Sequence, residues 1–250
     1  PASVHLIGKD ILRFHAVYWP AFLMAANIAL PKKIFGHGWI LSGDEKMSKS
    51  KGNILDPLEI IEMYGLDPLR YYLIKEVSFG NDGNISKDKL EDCINSDLAN
   101  NYGNLCQRVT AFAEKNCSLK IPSNKMLNDE DFKLLNKFTE NLSILRNEID
   151  KQNINFYIDF IVNALFEANK YFNDQEPWKK KDHKERLEAI VYTALEIIRK
   201  ISFMLYPIIP VSIEKALKIF NLKPVDIIFE TIAVHTLLKP GDDINKIGIL

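Results

Sequence analysis

The segment Lys46-Met47-Ser48-Lys49-Ser50-Lys51, followed by Gly52-Asn53, sets two lysines, Lys46 and Lys49, three residues apart among small hydroxyl side chains and a glycine. Such a segment can wrap a polyphosphate. Each ammonium is a compact point charge on a flexible stem, and together they can stabilise the charge that develops on departing pyrophosphate. The bland alternative is a solvated basic loop.

A second group lies near the amino terminus. Ile11, His15 and Trp19 are spaced by four residues, so on a helix they share one face. Lys9 and Asp10 fall where an apolar run ends and helical spacing begins, and at the carboxyl end of a parallel strand side chains point into the ligand crevice. An isoleucine, an imidazole and an indole on one face can line a small apolar amino-acid pocket. The same three residues also read as core, with His15 a satisfied core histidine. His37 stands just before the lysine segment, and by itself it reads equally well as structural.

A third group lies further on. Asn104 and Arg108 are four residues apart and border an apolar stripe. An amide and a guanidinium projecting from one helix edge can read base edges through paired hydrogen bonds, or they can be two solvated polar residues. Trp178 follows Pro177 at a helix break, where an exposed indole offers a stacking platform for an unpaired base. Lys179, Lys180, Lys181, Lys184 and Arg186 come next. Such a run suits a phosphate backbone or simply a solvated helix start.

These groups need elements to hold them. Val4–Gly8 reads as a strand, residues Asp10 to about Asn27 as a helix, and Ile34–Leu41 as a second strand, which together make a βαβ step of a parallel sheet. Asp56-Pro57 is a helix start that Gly65 closes, and Asp67-Pro68 repeats the start signal. From Leu90 onward glycine almost vanishes until Gly241. Leu98, Tyr102, Leu105, Val109 and Phe112 recur at alternating spacings of 4 and 3. Similar stripes over Phe132–Ile149, Phe156–Phe172 and Leu187–Leu205, and a shorter helix over Ser212–Phe220, predict a bundle of four or more helices.

Bulk composition sets outer bounds. The 250 residues are 47% hydrophobic and 26% charged, ordinary for a globular chain of one large or two modest domains. A net charge of −1 leaves any RNA contact to local charge. Cys93, Cys106 and Cys117 are odd in number and lack Cys-x-x-Cys spacing, so they predict buried thiols in a reducing cytosol. The longest apolar runs, Ala21–Leu30 and Ile201–Val211, are too short to span a bilayer. No Walker loop, Gly-x-Gly-x-x-Gly, His-Glu-x-x-His or Gly-x-Ser-x-Gly occurs.

Lys46-Met47-Ser48-Lys49-Ser50 matches the second signature of class I aminoacyl-tRNA synthetases, which by itself also suits leucyl, isoleucyl, valyl or cysteinyl enzymes. The chain more fully resembles the methionyl-tRNA synthetase family, through His5-Leu6-Ile7-Gly8-Lys9-Asp10-Ile11, Phe14-His15, Trp19-Pro20, His37-Gly38, Asn104-Leu105-Cys106-Gln107-Arg108 and Glu176-Pro177-Trp178. The resemblance implies a methionine–tRNA ligase. Lys46 and Lys49 would be its catalytic lysines, Lys49, Lys46, Lys9, Asp10 and His37 would be at ATP, and Ile11, His15 and Trp19 at the methionine side chain. Asn104, Arg108 and Trp178 would read the CAU anticodon. It implies ATP with Mg2+, L-methionine, tRNA(Met) and initiator tRNA as substrates and partners, a cytoplasmic location and no membrane.

The implied fold is mixed and predominantly α. Residues 1–41 would be the carboxyl-terminal part of a Rossmann catalytic domain and residues 42–96 a connecting, stem-contact domain. Residues 97–235 would be a helical-bundle anticodon-binding domain and residues 236–250 a tail. Departures from the family accompany these likenesses. Nothing matches a His-Ile-Gly-His-like first signature, no zinc-bearing insertion occurs, and Gly248-Ile249-Leu250 stands where relatives continue into Phe-Pro-Arg. These departures predict a carboxyl-terminal part of the enzyme, inactive alone, with no metal ligands in this stretch and any zinc site elsewhere. The alternative class is a non-catalytic tRNA-binding module.

Overall fold

The computed structural model describes residues 2–42, 45–47 and 55–248. Strands β1 (His5–Gly8) and β2 (Ile34–His37) pair in parallel, with Gly8 opposite His37. The connection between them is helical, so the βαβ step read from the sequence is present.

Two local expectations are corrected. The expected helix from Asp10 is a 3-10 turn (Lys9–Ile11), a π-helical stretch (Phe14–Tyr18) and then α1 (Trp19–Ala25). The strand expected over Ile34–Leu41 is two strands, β2 and β3 (Ile40–Ser42), in different sheets. Close approach breaks it: a Cβ on Gly38 would lie 2.3 Å from the carbonyl of Asn81. The neighbouring Trp39 N–H is held by Asp82 at 2.7 Å. Only glycine lets the backbone pass there.

β3 pairs antiparallel with β4 (Glu45–Lys46) and parallel with β5 (Gly83–Asn84). Helix α2 (Pro57–Tyr64) starts as expected, with Asp56 accepting the Leu58 N–H at 2.8 Å, and Gly65 ends it at φ 88°. Helix α3 (Leu66–Glu76) follows from Gly65, so Asp67 does not cap it. Asp67 is buried instead, and its Oδ2 accepts the Ser212 N–H at 2.6 Å, in the first turn of α9 (Pro210–Leu217). A carboxylate placed early in sequence thus caps a helix that arrives much later.

Helix α4 (Lys87–Cys93), a π-helical stretch (Ile94–Gly103) and α5 (Asn104–Cys117) run on without interruption. Helices α6 (Asp129–Asp150), α7 (Ile154–Gln175) and α8 (Lys184–Leu205) complete the bundle with α9. The main core lies here. Leu105, Val109, Phe138, Ile158, Ile161, Leu195 and Ile198 are inaccessible to solvent. Helix α8 forms the centre, with every residue from Ala189 to Leu205 buried.

That central helix carries Glu196, Arg199 and Lys200, all wholly buried. They latch the strap that includes the 3-10 turn Phe229–Ala233. Arg199 donates to Val234 O at 3.1 Å, Lys200 to the carbonyls of Ile232 and Val234, and Glu196 accepts the Leu238 N–H at 2.7 Å. Buried charge is tolerated because each group is paired or hydrogen-bonded.

The amino-terminal unit differs sharply. Among described residues before Ser42 only Ile7 is buried, while Phe14, Phe22 and Met24 are 59%, 70% and 66% exposed. Apolar exposure on this scale marks an interaction surface or a ligand groove.

Candidate functional site

Three clusters carry the residues singled out by sequence. The first lies at the carboxyl end of β1. Lys9 leaves Gly8 and meets both oxygens of Asp82 at 2.6 Å, with its ammonium 5.9 Å from the Trp39 ring centroid. The hydrogen bond from Lys9, joined by the Trp39 N–H, holds the Asp82 carboxyl below its usual range. No local spacing points to Asp82, because its partner lies 73 residues away. His37, opposite Gly8 at the same edge, sets Nδ1 3.0 Å from Gly38 O. Its ring lines a cavity of about 310 Å³ shared with Leu73, Val77, Phe79 and Ile154.

The lysine segment begins next to this edge. The backbone of Lys46 pairs with Leu41 on β3, and the next residue of β3, counting back, is Ile40, which pairs with Gly83, the neighbour of Asp82. Lys49 lies outside the described residues.

The second cluster is apolar. His15 and Trp19 face each other edge-on at 6.1 Å, and His5 meets Trp19 edge-on as well, at 4.9 Å. With Phe14, Tyr18 and Phe22 they line an open cavity of about 580 Å³. His15 Nδ1 is 3.0 Å from Ile11 O. Ile11 itself is not in that lining and is 38% exposed. The reason is the local winding: a 3-10 turn and a π stretch change the advance per residue, so residues four apart need not stack. His5 was missed because a strand residue carries no periodic signal that ties it to a helix face.

The third cluster is in the bundle, far along the chain. Arg108 on α5 donates to the Asn173 side chain at 2.5 Å and lies over the Phe172 ring at 5.7 Å. Trp178 meets the same Phe172 ring edge-on at 6.3 Å and is 41% exposed. Phe172 is therefore the shared floor of Arg108 and Trp178. Glu176, with φ 41°, ends α7 in the left-handed region and turns the chain so that Pro177-Trp178 folds back on it. Asn104, one turn before Arg108, is exposed and lines a separate cleft with Asn100, Gln107 and Ser212. The structure thus joins Arg108 to Trp178 and does not bring Asn104 to them.

The basic run beside Trp178 is less free than its spacing suggests. Lys179 pairs with Glu176, Lys180 donates to Gln175 O, and Lys184 lies 3.8 Å from Glu188. Arg186 turns inward to Asp131 and leaves the cationic surface altogether.

The thiols have no reactive character. Burial pushes Cys93 up to about 11, Cys106 to about 12 and Cys117 to about 11. Among the described residues no three His, Cys, Asp or Glu side chains are grouped to hold a metal ion.

The sheet edge with its lysine segment and the helical bundle each match a known family. Residues 2–110 match the model described as tRNA synthetases class I (M), which defines the class. Residues 121–249 match the anticodon binding domain of methionyl tRNA ligase. The chain belongs to the methionyl-tRNA synthetase family. It is 45% identical over 220 residues to the methionine–tRNA ligase of Brucella suis biovar 1 (strain 1330), covering 88% of this chain and 43% of that protein. With the ligase of Rickettsia felis (strain ATCC VR-1525 / URRWXCal2) it shares 42% identity over 257 residues, covering 100% and 50%. A solved structure of Mycobacterium tuberculosis methionyl-tRNA synthetase in complex with methionyl-adenylate superposes with a TM-score of 0.92 at 40% identity, over 98% of this chain and 48% of that one. The chain spans about half the length of the curated relatives it matches.

Proposed function

We propose that the protein containing this chain is a methionine–tRNA ligase. In its reaction the methionine carboxylate attacks the α-phosphate of ATP to give methionyl-adenylate and pyrophosphate, and the terminal ribose hydroxyl of methionine tRNA, initiator or elongator, then takes the methionyl group and releases AMP. One observation carries the reading most directly: the strand that opens the lysine segment, β4, is tied through β3 and β5 to Asp82, which grips Lys9 at the carboxyl end of β1. A lysine segment that opens beside the carboxyl edge of the parallel strands supports a shared site for the phosphates, as displacement at phosphorus requires. Such displacements rest on positioning and charge stabilisation rather than on acid–base chemistry.

In this reading Lys46 and Lys49 meet the phosphates, Mg2+ accompanies ATP, and Lys9, Asp10 and His37 line the ATP side. Ile11, His15 and Trp19 border the methionine side chain. Ile11 acts from the rim, since it stands outside the aromatic cavity. Arg108 and Trp178 share an aromatic floor and, with Asn104, take unpaired anticodon bases. The division at 1–41, 42–96, 97–235 and 236–250, with cytosolic residence, belongs to the same proposal. No helix among the described residues is long and apolar enough to cross a membrane.

The test is methionine-dependent ATP–pyrophosphate exchange by the whole protein. Replacing both Lys46 and Lys49 with alanine should abolish exchange while leaving tRNA binding intact, and full exchange by that variant would overturn the reading. The 250 residues alone should give none.

A further inference from the structure

We propose that Asn155 is a positioning residue for the ATP-side edge: by clamping residues 74–79 to the start of α7 it fixes Asp82, and through Asp82 it fixes the ammonium of Lys9. The proposal rests on the function above. Its physical core, the placement of Lys9, can be tested without activity.

Asn155 is the second residue of α7 and uses both ends of its amide. Oδ1 accepts the Phe79 N–H at 2.9 Å. Nδ2 donates to the carbonyls of Ile74 and Lys75, each at 3.2 Å. Those two carbonyls belong to the last turn of α3, where helix geometry provides no partner. One side chain thus closes a helix end and anchors the loop that leaves it. Three residues beyond Phe79, Asp82 takes Lys9 and the Trp39 N–H together.

The loop between is held on its other flank. Phe79 stacks on Phe35 of β2, with centroids 4.9 Å apart and planes at 7°. Gly80, at φ 106°, would bring a Cβ to 3.2 Å from the same Phe35 ring. The loop is therefore wedged between the parallel strands and the bundle, and Asn155 is its fastening on the bundle side. A bound substrate feels sub-ångström displacement of a charged group, so the fastening matters to the reaction though Asn155 touches no reacting atom.

The same helix carries Phe172 and Asn173 near its far end, roughly 26 Å away at 1.5 Å per residue. Asn155 therefore links the element bearing the Arg108–Trp178 floor to the loop that carries Asp82.

The experiment uses the whole protein with Asn155→Ala, Asn155→Asp, Asp82→Asn and the double variant Asn155→Ala/Asp82→Asn. Asn155→Asp keeps the acceptor for Phe79 and loses the two donors. Lys9 is first read directly, by reductive methylation and mass spectrometry without substrate. Its labelling should rise in Asn155→Ala and in Asp82→Asn, and unchanged labelling in a folded Asn155→Ala protein overturns the proposal. In exchange assays Asn155→Ala should raise KM for ATP about five- to tenfold with kcat little changed, the loss expected when ground-state binding is weakened by about one hydrogen bond. The double variant should be no worse than Asp82→Asn, because both act on one path. Fully additive losses would mean that Asn155 only supports the fold, which also overturns it. A wild-type protein with no exchange, but with labelling that responds to Asn155, would defeat the proposed function and leave the positioning role standing.

Discussion

Arg186 and Asp131 form a two-pronged ion pair inside the bundle, with Nη2 2.9 Å from Oδ1 and Nη1 on Oδ2. Asp131 is wholly buried, accepts the Asn128 N–H at 2.9 Å to complete the cap of α6, and takes the Tyr171 hydroxyl from α7. One carboxylate thus ties three helices.

Arg186→Ala leaves that carboxylate buried without its counter-charge. The expected cost is about 3–5 kcal/mol. At roughly 2–4 °C per kcal/mol for a chain of this size, the melting temperature should fall by about 10 °C. Arg186→Lys should recover part of the loss, because an ammonium cannot bridge both oxygens. Thermal and urea unfolding measure both. Lys181→Ala should leave the midpoint where it is.

Trp178→Ala should weaken binding of a methionine anticodon stem-loop by about 5- to 150-fold, the worth of one base stack of roughly 1–3 kcal/mol. Its exposure and edge-on contact with Phe172 predict little change in melting temperature. Fluorescence titration of the RNA distinguishes this from a change of fold, and undiminished affinity would remove Trp178 from the anticodon site.

Lys200 makes stability depend on pH. Burial, reinforced by Arg199 and opposed by Glu196, pushes its ammonium down to about 7 from 10.5. Between those values the unfolded chain holds a proton that the folded chain has lost. The contribution of this group to stability therefore rises with pH above about 7. Urea unfolding of the wild type and of Lys200→Met at pH 7 and pH 8.5 should show the rise only in the wild type, on the order of 1–2 kcal/mol. Equal pH dependence in the two proteins would refute the assignment.

The helices of the bundle were legible because their apolar stripes are long and periodic, and α6 to α8 appear within a few residues of the expected spans. The parallel β1–β2 step was legible from two short apolar runs on either side of a helically spaced segment. What escaped was set at long range. Asp67 reads as a second helix start until Ser212 arrives, and Arg186 reads as a surface cation until Asp131 is folded beneath it. In the candidate sites, residue types were readable from spacing, but their supports were not: His5 beneath Trp19, Asp82 beneath Lys9 and Phe172 beneath Arg108. Each support is joined to its partner by the fold alone.

The uninterrupted run from Lys87 to Cys117 acts as a calibrated axle between the elements before it and the bundle that carries Arg108 and Trp178. Each residue added or removed along it turns everything downstream by about 100° in α-helical geometry. A single-codon deletion between Ile94 and Gly103 would therefore turn Arg108, Phe172 and Trp178 together relative to the elements that precede Ile94, whereas a conservative replacement there would keep their bearing. Length in this stretch should be far less forgiving than identity.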